Sequence, residues 1–366
     1  MSDKGYLLKE SDLQALALGA ALLGTGGGGN PYVGMLRTRE LMRKGASVRV
    51  LPLDALPDDA WISEVGGIGA PVVGVEKFEQ GEECLRAMRA VEEVAGITFA
   101  ATISAEIGGS NAMEPVITAA QAGLPVIDGD GMGRAFPEVQ MSSFMIYGAP
   151  VSPAAIADEK GNVVVFKDVI DMYWLETFAR GVAVNMGAAA GLAVAPMRMD
   201  FVRKSAVPGT VTQALDIGHA ILDARARRQN VVQRVCDATG ARVFFTGKLA
   251  DVRREIIKGF ARGKAVIDGI DGFAGSTAEI AIQNENLVLW VDGVPKVVVP
   301  DLIMNLEIDT GEPITTEMLR YGQRVAVIGL PVHDLMKSPR ALEVVGPKAF
   351  GYPELTFTPL IAAKAA

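Results

Sequence analysis

The stretch TFAATISAEIGGSNAMEPVITAAQAGLPVIDGDGMGRAFPE, residues 98–138, decides the fold class of this chain. It predicts a strand over Thr98–Thr102, a helix over Ala112–Ala122 and a short buried strand over Leu124–Ile127. A helix between two strands at these lengths is typical of a βαβ unit in a mostly parallel sheet. Ligands bind beyond the carboxyl ends of the strands in such sheets, so the two loops that follow these strands are the first candidates for a site.

The same alternation continues towards the N-terminus. The predicted elements there are helices over residues 11–23, Leu36–Lys44 and Phe78–Val94 and strands over Val48–Leu51 and Ala60–Val65. The pattern changes between residues 150 and 170, which is where we place a domain boundary. A hairpin near 151–162 and long helices over Asp168–Val194 and Thr212–Ala238 precede short strands that suggest a small sandwich or barrel. The predicted strands are Arg242–Phe245, Lys264–Asp268, Ala278–Ile282, Leu287–Val291, Val297–Val299 and Arg324–Ile328.

Composition limits the class of protein. The chain has 366 residues, 49% of them hydrophobic and 21% charged, which is typical of a globular protein of about two domains. The net charge of −8 and the lack of a basic face argue against nucleic-acid binding. The charged N-terminus is unlike a secretory signal, and the uncharged run Gly181–Met197 is interpreted as a core helix rather than a membrane span. Cys84 and Cys236 are too few for a disulfide framework. We therefore expect a cytoplasmic protein.

The glycine run Gly24–Gly29 is the most conspicuous local feature. Glycines let a backbone approach a ligand closely and present N–H groups to it, and a helix start is predicted at Pro31. The run follows a helix rather than a strand and lacks the Gly-Lys-Ser/Thr of a P-loop, so no nucleotide cofactor is expected. We interpret Gly26, Gly27, Gly28 and Gly29 as a substrate-binding loop, with a tight turn between two helices as the structural alternative.

The segment Asp128-Gly-Asp-Gly-Met-Gly-Arg-Ala-Phe-Pro-Glu138 concentrates ionisable groups at a predicted strand end. Asp128 and Asp130 lie two residues apart, so both point to one side of an extended chain. Such a pair can act as acid and base, or bind a divalent cation. Arg134 can hold a carboxylate or an anionic substituent, and Glu138 either binds substrate or favours a helix start. The structural alternative is an acidic turn with an Asp–Arg pair.

The segment Glu106-Ile-Gly-Gly-Ser-Asn111 supplies a second candidate loop. Glu106 is a candidate acid or base, and Asn111 either binds substrate or caps the next helix. Two distant histidines and two distant cysteines do not favour a zinc site, and no Gly-x-Ser-x-Gly motif is present. Acid–base chemistry therefore falls to carboxylates. In the second half, Asn284-Glu285-Asn286 and Pro300-Asp301 are interpreted as turns at strand ends.

Several motifs, in order along nearly the whole chain, resemble the S-methyl thiohydantoin desulfurase family. They are Leu23-Gly-Thr-Gly-Gly-Gly-Gly-Asn-Pro-Tyr32, Gly69-Ala-Pro71 with Glu76-Lys77, the Glu106–Asn111 and Asp128–Glu138 segments, Gly247-Lys248, Gly259–Gly263, Gln283–Asn286, Pro300–Ile303 and Gly346–Tyr352. The resemblance implies two domains, which we expect to be an N-terminal α/β domain over residues 1–165 and a C-terminal α+β domain over 166–366. It also implies cleavage of a C–S bond to give a hydantoin and methanethiol.

The expected mechanism is attack of water on the ring carbon that bears the S-methyl group. Asp128 or Asp130 would be the base, directly or through a metal-bound water, and Glu106 the acid or a holder of a ring N–H. Two alternatives stay open: a metal-assisted cyclic amidohydrolase that opens a hydantoin-like or lactam ring, and a non-catalytic subunit that binds a small ligand. We expect a small-molecule substrate and a homo-oligomer, with no nucleic-acid or membrane partner. Whether a metal is required stays open.

Overall fold

A computed structural model describes residues 5–69, 73, 77, 79–257 and 260–361 of the chain. The predicted helix start at Phe78 and the motif residues Ala70–Pro71, Glu76 and Gly259 lie outside these described residues. Within them, no helix is long and apolar enough to cross a membrane.

The helices begin and end as follows. They are α1 (Leu13–Leu23), α2 (Tyr32–Arg43), α3 (Glu83–Ala95), α4 (Glu114–Ala122), α5 (Ser143–Ile146), α6 (Met172–Asn185), α7 (Met199–Ser205), α8 (Thr210–Ala226), α9 (Val231–Thr239) and α10 (Pro339–Val345). Short 3-10 helices include Gly109–Ala112, which leads into α4, and Thr316–Met318 in the C-terminal half.

Two sheets contain the strands. The first sheet has β1 (Tyr6–Leu7), β2 (Arg49–Leu51), β3 (Trp61–Gly69), β4 (Ala101–Ser104), β5 (Val126–Asp130), β6 (Ala154–Ala157), β7 (Val163–Phe166), β8 (Ala189–Ala193), β9 (Met197–Arg198) and β10 (Val207–Pro208). The second has β11 (Arg242–Ile257), β12 (Phe260–Gly269), β13 (Thr277–Gln283), β14 (Glu285–Val291), β15 (Val294–Val298), β16 (Leu302–Glu307) and β17 (Arg324–Leu330).

The first sheet has the parallel centre that the sequence predicts. Its order is β1-β2-β5-β4-β3-β8-β6-β7, and the β2–β5, β5–β4 and β4–β3 pairs are parallel. The flanking pairs with β1, β8, β6 and β7 are antiparallel. Strand β8 comes from beyond residue 165 and completes this sheet by pairing with β3. The carboxyl ends of β3, β4 and β5 therefore lie side by side at one edge.

The second sheet is antiparallel throughout, in the order β15-β14-β13-β12-β11-β17-β16. It curls, because strands at opposite ends of this order meet: the Asn286 side-chain amide on β14 donates to the Ile303 carbonyl on β16 at 2.9 Å. A curled sheet of this kind encloses an apolar core, here built around Phe245, Leu249 and Ile280. The predicted fold class, a mostly parallel α/β sheet followed by a β-rich α+β part, is confirmed.

Two predicted helices are wrong in their extent. The predicted helix Asp168–Val194 ends at Asn185 as α6, and the Ala/Gly-rich run that follows is strand β8. Gly187 and Ala188 have φ values of 91° and 64°, which turn the chain between the two elements. Small residues fit this strand because α3 packs closely on it: a Cβ on Gly191 would lie 2.5 Å from the Cys84 backbone nitrogen. The interpretation of Gly181–Met197 as a core helix is therefore wrong beyond Asn185, where α6 ends and the chain turns into strand β8.

The predicted helix Thr212–Ala238 is two helices, α8 and α9. Arg228 has a φ of 54°, which ends the first helix, and Asn230 caps the second by accepting a hydrogen bond from the Gln233 N–H at 3.0 Å. Strand β16 was not predicted. It lies between β17 and β14 and is almost wholly buried, so it lacks the alternation that marks a half-exposed strand.

Candidate functional site

The two candidate loops meet at the carboxyl edge of β4 and β5. The Ile107 N–H donates to Asp130 Oδ2 at 2.8 Å, and the Gly131 N–H donates to the Ala105 carbonyl at 3.1 Å. The Phe136 N–H donates to Glu106 Oε2 at 2.9 Å. These bonds join the Glu106 and Asp128 segments into one structure, as the parallel-sheet prediction expects.

The glycine loop joins the same edge and also contacts the C-terminal half. Both the backbone N–H and the hydroxyl of Ser110 donate to the Gly28 carbonyl, at 2.8 and 2.7 Å. On the other side, the Thr316 N–H donates to the Gly26 carbonyl at 2.6 Å. A Cβ on Gly27 would lie 2.0 Å from Glu285 Oε1, so a larger residue has no room there. The glycines thus allow close packing between the two halves of the chain.

A cavity of about 420 Å³ lies where these segments meet. One part of its wall, the N-terminal wall, comes from the edge of the first sheet and includes Glu64 and Glu106. The other part, the C-terminal wall, comes from Asn284, Glu285 and Glu317 of the C-terminal half. The predicted site residues that line it are Gly28, Gly29, Glu106, Asn111 and Glu138. The predicted site residues that do not line it are Gly26, Gly27, Asp128, Asp130 and Arg134. Apolar side chains, among them Val65, Met132, Phe136, Leu192 and Val194, form much of the remaining wall.

Glu106 is held rigidly at the cavity wall. It is 5% exposed, and its two oxygens accept hydrogen bonds from the Asn111 side-chain amide at 2.7 Å and the Phe136 N–H. The same Asn111 amide accepts from the Gly67 N–H at 2.6 Å, so Asn111 connects β3 to Glu106 rather than capping a helix. Burial raises the pKa of Glu106 to about 8, and the two donors oppose the rise. A carboxyl group with these properties can exchange a proton near neutral pH.

Glu64 is a cavity residue that the sequence reading missed. It lies within β3 and is 2% exposed, and its Oε2 has no hydrogen-bond partner. Burial raises its pKa to about 8, the Ser142 hydroxyl opposes the rise, and the charge of Asp130 adds to it. A buried carboxyl oxygen without a partner is costly unless a ligand or water satisfies it. The sequence signal that could have revealed it is a glutamate in the middle of a strand, β3, that is otherwise uncharged.

Asp130 lies behind this wall. It is fully buried and accepts hydrogen bonds from the backbone N–H groups of Ile107, Met132 and Gly133. Burial raises its pKa to about 7, against the opposing effect of these donors. Its carboxylate therefore fixes the backbone of both candidate loops and contributes negative charge near Glu64 and Glu106.

Asp128 turns to a different neighbour. Its two oxygens accept from the backbone N–H of Thr212 at 3.1 Å and from the Thr212 hydroxyl at 2.6 Å, in the first turn of α8. Asp128 and Asp130 occupy alternate positions of β5, yet they bind different partners. A carboxylate at the start of a helix satisfies an otherwise free N–H and favours the helix dipole.

Arg134 is fully buried and makes no ion pair with Asp130. Its guanidinium donates to the carbonyls of Ala135, Pro300, Asp301 and Asn286 and to the Thr25 hydroxyl, at 2.8 to 3.4 Å. Apart from Ala135, its neighbour in the chain, these acceptors belong to the glycine loop, to strand β14 and to the turn between β15 and β16. Burial lowers the pKa of Arg134 to about 10, against the opposing charges of Glu285, Asp301 and Glu106. Arg134 therefore fastens the two halves together and leaves a positive charge behind the cavity.

The C-terminal wall carries two further carboxyl groups. Glu285, the first residue of β14, is 2% exposed, and its Oε2 has no hydrogen-bond partner. Burial raises its pKa well above the usual range, the charge of Glu106 adds to this, and the charge of Arg134 opposes it. Neither carboxyl oxygen of Glu317 accepts a hydrogen bond of normal geometry. Burial raises the pKa of Glu317, and its own N–H and the Thr315 hydroxyl oppose the rise. Sequence reading interpreted Glu285 as part of a turn, and Asn284 does turn the chain, with a φ of 57°.

Glu138 lies at the cavity rim beside α6. It accepts a hydrogen bond from the Gln140 side-chain amide. Burial, followed by the charge of Glu176, raises its pKa.

The donor set around the cavity does not fit a metal centre. Within the described ranges, no group of three or more His, Cys, Asp or Glu side chains is arranged to hold a metal ion. The oxygens of Asp128 and Asp130, the pair considered for a cation, are used by N–H and O–H donors of the protein. The arrangement instead offers carboxyl groups that can take up and release protons.

Fold and site together define an α/β protein with a carboxyl-lined cavity between its two halves. Two family models match the chain: "S-Me-THD-like, N-terminal domain" over residues 11–168 and "S-Me-THD-like, C-terminal domain" over 170–360. The chain therefore belongs to the S-Me-THD-like family, which confirms the resemblance seen in its motifs.

One solved structure shares the whole fold. It is a crystal structure of a protein from Chromobacterium violaceum, determined as a structural genomics target, with a TM-score of 0.82 and 24% sequence identity. The match covers 97% of this chain and 100% of that chain. At this identity the likeness shows the fold alone. Comparison with curated protein sequences found no match.

Proposed function

We propose that this protein is a hydrolase that cleaves the C–S bond of an S-methyl thiohydantoin to give a hydantoin and methanethiol. Membership of the S-Me-THD-like family supports the substrate class. The observation that carries the chemistry is that Glu64 and Glu106 line one cavity, both buried and both with a pKa of about 8. Two such groups can divide the roles of base and acid between them.

The ring carbon that bears sulfur is electrophilic, because it lies between two nitrogens. Water attacks this carbon and gives a proton to Glu106, whose two hydrogen-bond donors favour the ionised form. A C–O bond forms, the C–S bond breaks, and its electron pair leaves with sulfur. Glu64, whose pKa is raised by burial and further by the charge of Asp130, stays protonated and gives its proton to the departing methanethiolate. Transfer of the new hydroxyl proton to a ring nitrogen gives the hydantoin carbonyl. Return of the first proton from Glu106 to Glu64 restores the site, so one water is consumed per turnover.

The other predicted residues have supporting roles in this proposal. Asn111 orients Glu106, and Asp130 positions the loop that carries it. Gly28 and Gly29 are the part of the glycine loop that lines the cavity. The Gly28 N–H acts on the Glu285 carboxyl group, so the Gly29 N–H is the group assigned to the charge that develops on the ring. The Gly27 N–H is already used by the Gly24 carbonyl at 2.8 Å.

A cytoplasmic location and a homo-oligomeric assembly belong to the same proposal. Exposed aromatic side chains on α6 support the assembly: Tyr173, Trp174 and Phe178 are 53%, 46% and 44% exposed. Light scattering after size-exclusion chromatography tests it, and a monomer at all concentrations would contradict it.

Incubation of the purified protein with S-methyl thiohydantoins tests the reaction. We expect one methanethiol and one hydantoin per substrate consumed, with a thiol reagent and chromatography as the two measurements. Metal analysis of the same sample, with and without chelator treatment, shows whether turnover depends on a bound ion. Opening of a hydantoin ring without methanethiol release would favour the cyclic amidohydrolase instead. Tight binding without any product would favour a binding subunit.

A further inference from the structure

The polar groups of the cavity differ in whether protein partners already use them. The described lining residues include two basic side chains, Lys77 and Arg180. Lys77 Nζ donates to the carbonyls of Met186 and Ala189 at 2.7 and 2.8 Å, and it pairs with Glu159. Arg180 pairs with Glu176 and donates to the Pro137 carbonyl at 2.9 Å. Neither cation is therefore available to hold an anionic ligand.

The carboxyl groups of the C-terminal wall are in the opposite situation. Glu285 Oε2 and both oxygens of Glu317 are buried and accept no hydrogen bond of normal geometry, although the Glu317 N–H and the Thr315 hydroxyl lie close enough to oppose the rise that burial causes in the pKa of Glu317. Arg254, whose charge acts on Glu317, donates instead to the carbonyls of Thr316 and Leu319. Glu285 is 2% exposed and lines the cavity, so a ligand bound there lies next to this unsatisfied carboxyl group.

We propose that the C-terminal wall is a subsite for a positively charged, N–H-rich substituent of the substrate, such as a guanidinium or an alkylammonium group. This inference rests on the proposed function, because it assigns the ring to the Glu64–Glu106 wall and its substituent to the Glu285–Glu317 wall. A guanidinium presents several N–H donors in one plane and can satisfy two carboxyl groups at once.

Charge favours the same ligand class. Burial raises the pKa of both Glu285 and Glu317, although the charge of Arg134 opposes the rise at Glu285 and that of Arg254 opposes it at Glu317. A cationic substituent bound at this wall lets one or both carboxyl groups ionise and form charge-assisted hydrogen bonds. A carboxylate substituent would instead add a negative charge to a wall of acids and is excluded.

The test uses four S-methyl thiohydantoins that differ only in the ring substituent: guanidinoalkyl, ureidoalkyl of the same length, alkyl and carboxyalkyl. We expect kcat/KM for the guanidino compound to exceed that for the ureido compound roughly ten- to hundredfold, the range for hydrogen bonds to charged groups. Glu317→Gln and Glu285→Gln should each reduce the ratio of kcat/KM for the guanidino compound to that for the ureido compound. They should also reduce the ratio of kcat/KM for the guanidino compound to that for the alkyl compound. Glu93→Gln, at an exposed position of α3, should leave every ratio unchanged.

Equal or better turnover of the ureido or carboxyalkyl compound would overturn the proposal, as would a ratio that survives both substitutions. If none of the four compounds releases methanethiol, titration calorimetry should be used to rank the affinity of the protein for each of them. Preferential binding of the guanidino compound would then support the subsite while counting against the hydrolysis. Failure of the guanidino compound to bind more tightly than the ureido compound would overturn the subsite whatever happens to the reaction.

Discussion

The two walls of the cavity present the same chemical group in different settings. On the N-terminal wall, Glu106 is fixed by two donors and Glu64 keeps one free oxygen. On the C-terminal wall, Glu285 Oε2 and the two Glu317 oxygens accept no hydrogen bond of normal geometry, although Thr315 acts on Glu317. Burial raises the pKa on both walls, so the pKa alone does not separate the roles. The hydrogen-bond partners separate Glu106, which two donors hold in place for proton transfer, from Glu285, which keeps an unsatisfied oxygen for a ligand. Glu64 also keeps an unsatisfied oxygen, so its role as the acid depends on its place on the N-terminal wall.

Removal of the fixed carboxyl should have the largest effect. Glu106→Gln keeps the shape and the Phe136 hydrogen bond but cannot accept a proton from water. We expect kcat to fall by about 10² to 10⁴, the usual contribution of a general base, with little change in KM. Steady-state methanethiol release measures this. The control is Glu285→Gln, which should act mainly on KM for substrates with a cationic substituent. Equal effects of both substitutions on kcat would show that the two walls do not differ as proposed.

Arg134→Met tests the connection between the walls. The substitution leaves the buried carbonyls of Pro300, Asp301 and Asn286 without their donor and removes a buried positive charge. We expect a loss of about 3 to 5 kcal/mol in the free energy of unfolding, as for removal of one member of a buried charged network. Chemical denaturation measures it. Arg234→Met, at an exposed position of α9, is the control and should change stability by less than about 0.5 kcal/mol. A stable Arg134→Met protein would contradict the fastening role.

Glu64→Gln separates acid from base on the N-terminal wall. With one carboxyl ionised and the other protonated, kcat/KM should rise with pH towards about 8 and fall above it. The variant should lose the alkaline fall, because an amide has no proton to lose there. Its maximal rate should drop less than that of Glu106→Gln, roughly tenfold, since a thiolate is already a good leaving group. A profile unchanged from that of the unmodified protein would remove Glu64 from the mechanism.

The raised pKa values also predict how stability depends on pH. Glu64 and Glu106 have folded pKa values of about 8, above the value of about 4.3 for an unfolded glutamate. The folded state therefore holds protons that the unfolded chain releases, and stability should fall as pH rises from about 4 to about 8. In Glu64→Gln this fall should be smaller, by a few degrees in Tm between pH 5 and pH 8.5. Calorimetry at both pH values measures it, and parallel curves for the two proteins would contradict the assignment.

The sequence allowed the N-terminal wall to be predicted in outline, because its parts follow a local rule. Loops after neighbouring parallel strands meet at one sheet edge, and this brought Glu106 and the Asp128 segment together correctly. Glu64 was not predicted because the residues next to it in the sequence do not show that its side chain is buried or what it contacts. The C-terminal wall was missed because it depends on how the second sheet packs against the glycine loop. Nothing within Asn284-Glu285-Asn286 distinguishes a turn from a cavity wall.

The same limit explains the errors in the fold. The Ala/Gly-rich run after α6 is apolar in every register, so its sequence does not distinguish a helix from a strand. Two tertiary contacts stabilise this run as strand β8: its antiparallel pairing with β3 and the close packing of α3 at Gly191. By contrast, the break between α8 and α9 had a local signal in Asn230, three residues before Gln233, and could have been predicted.

Asp128→Asn should have the smallest effect, although Asp128 opens the most conspicuous acidic motif of the sequence. Its carboxylate accepts from the N–H and hydroxyl of Thr212, and asparagine can still accept one of these bonds. We expect a loss of about 1 kcal/mol in the free energy of unfolding, typical of a weakened helix cap, and nearly normal kcat. Thr212→Val, which removes the hydroxyl partner, should change stability similarly and add little to Asp128→Asn in the double variant. If Asp128→Asn instead abolishes turnover in a folded protein, the base lies in the Asp128 segment, and the division of roles between the two walls must be abandoned.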